Sequence, residues 1–466
     1  MGKQQDWSVT ACVFLFLSLT SQIIHCTSQT DVIRPQSIPS EKEKDLIKKL
    51  PGQPSVSFRQ YGGYVSVNET VGRFLYYYFV EAIQPNNSTP LVIWFNGGPG
   101  CSSLSGGAFM ELGPFRVHSD GKTLFRNPYS WNNEANLLFI ETPAGVGFSY
   151  SNTPIDLEEF AMEADKPTAE DNYIFLVNWL KRFPEFKGRE IYITGQSYAG
   201  HYVPQLAQLI LQRNNQNFIN LRGILIGNPG LDFYAELYGG NEFMLSHALI
   251  SQENMDNFNN NCKENFTEDC GSWMQKLESQ AKHLESFNIY APVCLNSTLS
   301  SKPKKCTTVM EIDLCSPYYV KTYFNTKKVQ EAIHANTTKT PYEWKSCNDE
   351  MTLMWSQDDK EASMIPILQE LMGKGVRILV YSGDLDLGVP FTSTLAVLKK
   401  MNLTIVNEWR PWFTEGQVGG YTEDYNENFS FATVRGAGHY MPRDQPIRGL
   451  ELFTSFIRNT PLPQTP

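Results

Sequence analysis

"ITGQSYAGHYVPQL" occupies residues 193–206. β-rich residues lead up to Gly195, a helical pattern runs on from Tyr202, and Ser197 stands at the junction. In that context a sharp strand-to-helix turn can hold a serine hydroxyl exposed at the rim of a sheet. The strict form of the pattern has glycine at 199; Ala199 is the next smallest side chain that could clear the turn. An ordinary polar turn can carry the same residues, so the rest of the chain has to decide.

Working outward, short apolar β-rich runs recur, each closed by a Gly or Pro turn: "LVIWF" (91–95), "NLLFIE" (136–141), "EIYITG" (190–195), "LRGILIGN" (221–228), "VRILVYSG" (376–383) and "FSFATVRGAG" (429–438). Uninterrupted runs of this kind suit strands buried on both faces. Helical patterns lie between them, at "TAEDNYIFLVNWLKRF" (168–183) and "YVPQLAQLILQR" (202–213). Strand alternating with helix predicts an α/β fold with a mostly parallel sheet. The alternation stops between about 232 and 360, where helical, aromatic and polar stretches take over. This segment reads as an insertion mounted on the sheet and crosslinked by cysteines for want of a large core. Within it "LSSKPKK" (299–305) reads as a solvated loop, with proteolytic nicking as the sharper alternative.

Composition narrows the class. The chain has 466 residues, 41% of them hydrophobic, and a net charge of −10. It has core enough for a globular fold and no basic run that would attract nucleic acid or an anionic membrane. Lys3, the apolar stretch "VTACVFLFLSL" and the polar exit "HCTSQT" predict a secretory signal over residues 1–28, too short in its apolar part to span a bilayer. The remainder, 29–466, is then one domain carrying the insertion, with no membrane attachment after cleavage. Asn-x-Ser/Thr sites at Asn68, Asn86, Asn87, Asn265, Asn296, Asn336, Asn402 and Asn428 fit that route. Asn86 and Asn87 overlap, and one glycan, assigned to Asn87, is expected there. Of nine cysteines, Cys12 and Cys26 fall in the signal. The odd set that remains predicts three disulfides and one free thiol, and no close Cys-x-x-Cys pair offers a zinc site.

A serine at such a turn needs a base, and the base an acid, in the chain order Ser, Asp, His. Asp384 and Asp386 follow the run 376–383, and His439 follows 429–438, each at a strand-to-loop transition where such sheets place their sites. With seven histidines in the chain, one in "GAGHYMPRDQP" is informative. Attack at a carbonyl also needs fixed N–H donors for the developing oxyanion. Asn96-Gly97-Gly98-Pro99-Gly100, directly after "LVIWF", can bring backbone amides close, and the amide of Tyr198 is the second donor expected in this fold class.

Together, "WFNGGPGCSSL", "ETPAGVGFSY", "GQSYAGHYVPQLA", "LRGILIGNP", "YSGDLDLGVP" and "GAGHYMPRDQP" resemble the serine carboxypeptidases, in particular the plant serine carboxypeptidase-like proteins, from about residue 40 to 460. The resemblance implies an α/β-hydrolase fold with a helical insertion. It implies Ser197 as nucleophile, His439 as base and Asp386, the second aspartate of "GDLD", as acid. It further implies oxyanion amides at Gly98 and Tyr198, a grip on a substrate carboxylate by Asn96, Glu111 and Gln196, with Trp94 in the same frame, and no cofactor. Disulfides Cys101–Cys347, Cys262–Cys270 and Cys294–Cys315 are implied in the same way, with Cys306 spare. The implied substrate is a peptide C-terminus, in the vacuole or outside the cell, with homodimerisation left open. The family usually has Glu before the nucleophile, and this chain has Gln196. An amide donates to a carboxylate at any pH, which predicts that peptide-end binding extends towards neutrality. Relatives that transfer acyl groups from glucose esters lack the asparagine of "NGG" and carry Asp before the serine; Asn96 is retained here. A silent binding protein on the same fold is the remaining alternative, and the intact triad speaks against it.

Overall fold

Residues 40–214, 218–262, 268–295, 297–302, 313–336, 343–426 and 428–466 are described by a computed structural model. The expected signal, Cys306, Asn265, Asn296 and positions 303–305 lie outside them. In chain order the strands are β1 Leu46–Ile47, β2 Gln60–Asn68, β3 Arg73–Val80, β4 Leu91–Phe95, β5 Phe115–Val117, β6 Leu124–Arg126, β7 Asn136–Ile140, β8 Tyr150–Ser151, β9 Glu190–Gln196, β10 Asn220–Gly227, β11 Arg377–Gly383, β12 Ile405–Thr414, β13 Gln417–Tyr425 and β14 Phe429–Val434. β5 and β6 pair with each other; the rest form one sheet ordered β1-β2-β3-β7-β4-β9-β10-β11-β14-β13-β12, with β8 beside β3.

The central block, β7-β4-β9-β10-β11-β14, is parallel. These are the uninterrupted apolar runs, and their alternation shows why: Ile93, Ile193, Ile224 and Val380 enter the core on one face, and Trp94, Tyr192, Leu225 and Tyr381 the core on the other. A strand covered on both sides has no solvent face on which to place polar residues. Antiparallel wings flank the block, β1 to β3 at one side and β13 and β12 at the other. β12 is exposed along much of its length, so its sequence lacks the buried-strand signature.

The helix Ala199–Arg213 lies against this block, burying Ala199, Tyr202, Val203, Leu206 and Ile210 at spacings of three and four. A Cβ at Gly195 would lie 2.7 Å from both the Ala199 Cβ and the Phe95 carbonyl oxygen. The crossing of strand and helix therefore demands glycine at 195, and it leaves room for alanine at 199.

Between β10 and β11 the described residues form helices and loops without a named strand. Only a small core is separate from the sheet, built by Met244, Ile250, Met255, Phe258, Leu277 and Ala281 around Cys262–Cys270. The later part does not stand off: Tyr319, Tyr323, Phe324 and Trp344 enter the main core beside Phe109 and Phe148. Cys294–Cys315 and Cys101–Cys347 are the other disulfides among the described residues. No helix among the described residues is long and apolar enough to cross a membrane.

Candidate active site

Four neighbouring strands, β9, β10, β11 and β14, end on the same edge of the sheet, and each delivers one polar residue there: Ser197, Asn228, Asp386 and His439. Ser197 has φ 62, a left-handed conformation that a non-glycine residue adopts only when its surroundings enforce it. They do. Its amide donates to the Gly227 carbonyl (3.0 Å), and its own carbonyl accepts from Gly200 (2.8 Å) and Gly230 (3.0 Å). The turn is thus tied to β10 and to the helix that follows, and Ser197 remains partly exposed.

Asp386 is fully buried, and both oxygens of its carboxylate accept hydrogen bonds. Oδ2 accepts from His439 Nδ1 (2.7 Å), Asn228 Nδ2 (2.9 Å) and the Val389 amide (3.2 Å); Oδ1 accepts from the Gly388 amide (2.8 Å). Four donors fix the carboxylate, which in turn fixes the imidazole. With Nδ1 committed, Nε2 is the nitrogen left for Ser197. No hydrogen bond within 3.5 Å joins the Ser197 hydroxyl to that ring, a contact that in such pairs commonly tightens on substrate binding. Asp384, the other candidate acid, accepts from the Gly436 amide at 2.6 Å and has no bond to His439.

Gly97 shows how tightly the glycine loop meets the serine turn: a Cβ there would run into the Tyr198 amide nitrogen and lie 2.8 Å from the Gln196 carbonyl. The Gly98 and Tyr198 amides donate to no acceptor among the described residues. They are two free N–H groups beside the serine, on the two elements that Gly97 joins.

Glu111, at the end of the wide helical stretch Leu104–Glu111, is 1% exposed. Gln196 Nε2 donates to its Oε1 at 3.0 Å. Burial pushes the Glu111 carboxyl up to about 8, against the opposing pull of the Arg443 charge and the Asn96 and Gln196 amides. Asn96 is oriented by its neighbours: Oδ1 accepts from Trp94 Nε1 (2.7 Å) and the Gly107 amide (3.0 Å). Its Nδ2 is consequently the donor end, directed at the Glu111 carboxyl. Glu111 Oε2 and Gln196 Oε1 are buried without partners among the described residues.

Sequence reasoning brought these residues to one sheet edge but passed over others that hold them. Asn228 binds Asp386, and it could have been found, since "IGNPG" ends the strand between those of the serine and the acid. Phe287 stacks on the His439 ring (4.5 Å between centroids, 20° between planes) and accepts from the His439 amide at 2.7 Å. Its neighbour Asn288 donates to Asp444 Oδ2, as does the Gly438 amide, both at 2.9 Å. Both residues lie beyond the end of the helix Glu268–Ala281, in a stretch whose sequence reads as more helix.

The match to known proteins is of the same kind along the whole chain. Residues 51–459 fit the family model described as serine carboxypeptidase. Serine carboxypeptidase-like 38 and serine carboxypeptidase-like 36 of Arabidopsis thaliana are each 66% identical, over 100% of both chains. Serine carboxypeptidase 24 of the same plant is 43% identical over 91% of this chain and 94% of its own. Among solved structures, Kex1(Δ)p, a prohormone-processing carboxypeptidase from Saccharomyces cerevisiae, superposes with a TM-score of 0.74 at 25% identity, covering 91% of this chain and 97% of that one. An α/β-hydrolase sheet with a serine at the β9 turn, an Asp–His pair at its edge and this continuous likeness place the chain in the serine carboxypeptidase family.

Proposed function

We propose that this protein hydrolyses the last peptide bond of peptides through an acyl-enzyme on Ser197. The observation that carries this reading is the buried trio of Asn96, Glu111 and Gln196 beside the serine turn, which presents donors and a neutral acid where a free α-carboxylate has to be held. Asn96 Nδ2, Gln196 Nε2 and the Glu111 hydroxyl would receive that carboxylate and set the final carbonyl against Ser197. His439 takes the serine proton as the oxygen attacks. Asp386 holds the imidazole and stabilises its charged form, and the Gly98 and Tyr198 amides receive the oxyanion. The C–N bond then breaks, the amine leaves with the proton from His439, and water repeats the sequence to release the shortened peptide.

The Glu111 titration gives this reading a pH signature. Below about pH 8 the carboxyl is a neutral donor; above it an anion faces the substrate carboxylate, so KM for peptides rises on the alkaline side. Gln196, having no proton to lose, keeps its donor throughout. A panel of blocked dipeptides and a glucose ester, assayed across pH with the parent and Gln196→Glu, tests the reading. Dipeptide hydrolysis with a shifted pH profile in the variant supports it; turnover of the glucose ester alone, or identical profiles, overturns it. Fluorophosphonate labelling of Ser197 separates an enzyme from a silent relative of the same fold.

Secretory routing belongs to the same proposal. It is supported by the three disulfides, which need an oxidising compartment, and by the exposed asparagines Asn87, Asn402 and Asn428 at acceptor sites. Sequencing the N-terminus of the mature protein checks cleavage after Ser28.

A further inference from the structure

Next to the serine turn, in contact with Tyr198, lies a second buried Asp–His pair that the mechanism does not use. Asp165, the first residue of the helix Asp165–Arg182, is 1% exposed. Its Oδ2 accepts from His201 Nδ1 (2.8 Å) and Gln205 Nε2 (3.0 Å); its Oδ1 accepts from the Tyr198 hydroxyl (3.0 Å) and Trp355 Nε1 (3.2 Å). Trp355 Nε1 also reaches the Tyr198 hydroxyl at 3.0 Å. Tyr198 is the residue whose backbone amide is read above as an oxyanion donor. Its ring is stacked on His201 (4.4 Å, 15°) and packed edge-on to Trp355. The side chain of the oxyanion donor is therefore held at its far end by a saturated carboxylate.

Trp355 belongs to the stretch 346–359, and the same stretch grips the other oxyanion element. The Ser102 amide donates to the Ser346 carbonyl (2.8 Å) and the Asn348 amide to the Gly100 carbonyl (2.9 Å). Cys347 is bonded to Cys101, and Thr352 Oγ1 donates to the Pro99 carbonyl at 2.6 Å. At its far end the Asp359 carboxylate accepts from the Asp165 amide at 3.1 Å. One continuous segment thus touches the loop carrying the Gly98 amide and, through Trp355 and Asp165, the residue carrying the Tyr198 amide.

We infer that the segment 346–359, anchored on Asp165, is a brace that sets the spacing of the two oxyanion amides, with Asp165, Trp355 and Thr352 acting as positioning residues. The inference rests on the reading of Gly98 and Tyr198 as oxyanion donors. An oxyanion is stabilised only when both donors already stand where the charge will develop, so loosening the brace reduces stabilisation of the transition state and leaves ground-state binding of the C-terminal carboxylate intact.

The test uses the full chain and three variants, Asp165→Asn, Trp355→Phe and Thr352→Val, with active sites counted by fluorophosphonate titration. Per titrated site, Trp355→Phe and Thr352→Val should lower kcat for a blocked dipeptide by about tenfold, and Asp165→Asn by more, with KM within about twofold. Affinity for a peptide aldehyde, which binds as a tetrahedral adduct, should fall in parallel, while inhibition by the free carboxylate product stays constant. If Asp165→Asn does not fold, the other two variants decide. Unchanged kcat per site, or equal losses in aldehyde and product affinity, overturns the brace. A parent that turns over no dipeptide overturns the underlying reading instead.

Discussion

The sheet-borne half of the site and the half contributed by the segment between β10 and β11 are built on different terms. On the sheet, each residue is placed by the strand it follows. Ser197 is locked by backbone bonds to Gly227 and Gly230, and Asp386 by the Asn228 side chain and two amides. In the inserted segment, Phe287 is placed by ring packing on His439 and one backbone bond, and Trp355 by side-chain bonds to Tyr198 and Asp165. Backbone ladders on parallel strands tolerate little displacement, whereas loop contacts yield singly. The sheet half should therefore carry the chemistry and the inserted half its tuning, and substitutions ought to divide accordingly.

The most direct way to break this division is to remove the nucleophile. Ser197→Ala should lose on the order of 10⁵-fold or more in kcat, and adding His439→Ala should cost little further, because the groups act as a unit. A peptidase assay on the single and double variants reads this, and additive losses would mean that the two do not work together. Next in size, Asn228→Ala takes one donor from the buried Asp386 and should cost roughly ten- to a hundredfold in kcat with KM unchanged. An effect confined to KM would show that Asn228 serves binding instead.

Phe287→Leu sharpens the comparison from the inserted side. It removes the ring stacked on His439 and keeps an apolar side chain, so kcat should fall by about three- to tenfold. A loss as large as that of Ser197→Ala would erase the distinction between the halves.

Glu111→Gln probes stability. Folding raises this carboxyl from 4.5 to about 8, so between those values the native chain holds a proton that the unfolded chain has released, and stability falls as pH rises through the window. The variant should gain about 1–3 kcal/mol over the parent at pH 9 and nothing at pH 4 in denaturant unfolding. Equal gains at both pH values would mean that packing, rather than the buried proton, is responsible. Smallest of all should be the catalytic effect of Cys262→Ser with Cys270→Ser. It opens a short loop around the separate minor core at a cost of about 2–3 kcal/mol, while kcat changes less than twofold.

How much of this was legible follows the same line. "LVIWF", "EIYITG" and "VRILVYSG" announced the parallel block because a strand covered on both faces must be apolar throughout, and the residues after such strands fall where α/β sheets bind ligands. Ser197 and His439 could be read for that reason, and the acid as one of Asp384 and Asp386, with the resemblance choosing Asp386. The antiparallel wing β12 could not, since its exposed residues carry no alternation that a core would impose. Phe287 lies past a helix that stops at Ala281, in a stretch read only as helical and polar, and Asp165 precedes the helical pattern read at 168–183. Their partners are far away in the chain, and no local pattern encodes a contact between residues 165 and 355.

The left-handed backbone of Ser197 has one more consequence. At φ 62 glycine is the residue the turn would prefer, and a serine held there costs about 1–2 kcal/mol. Ser197→Gly should accordingly melt higher than the parent while being unable to acylate. Its empty turn leaves room for an uncut peptide, which makes this variant the natural trap for photographing a bound substrate before the bond breaks.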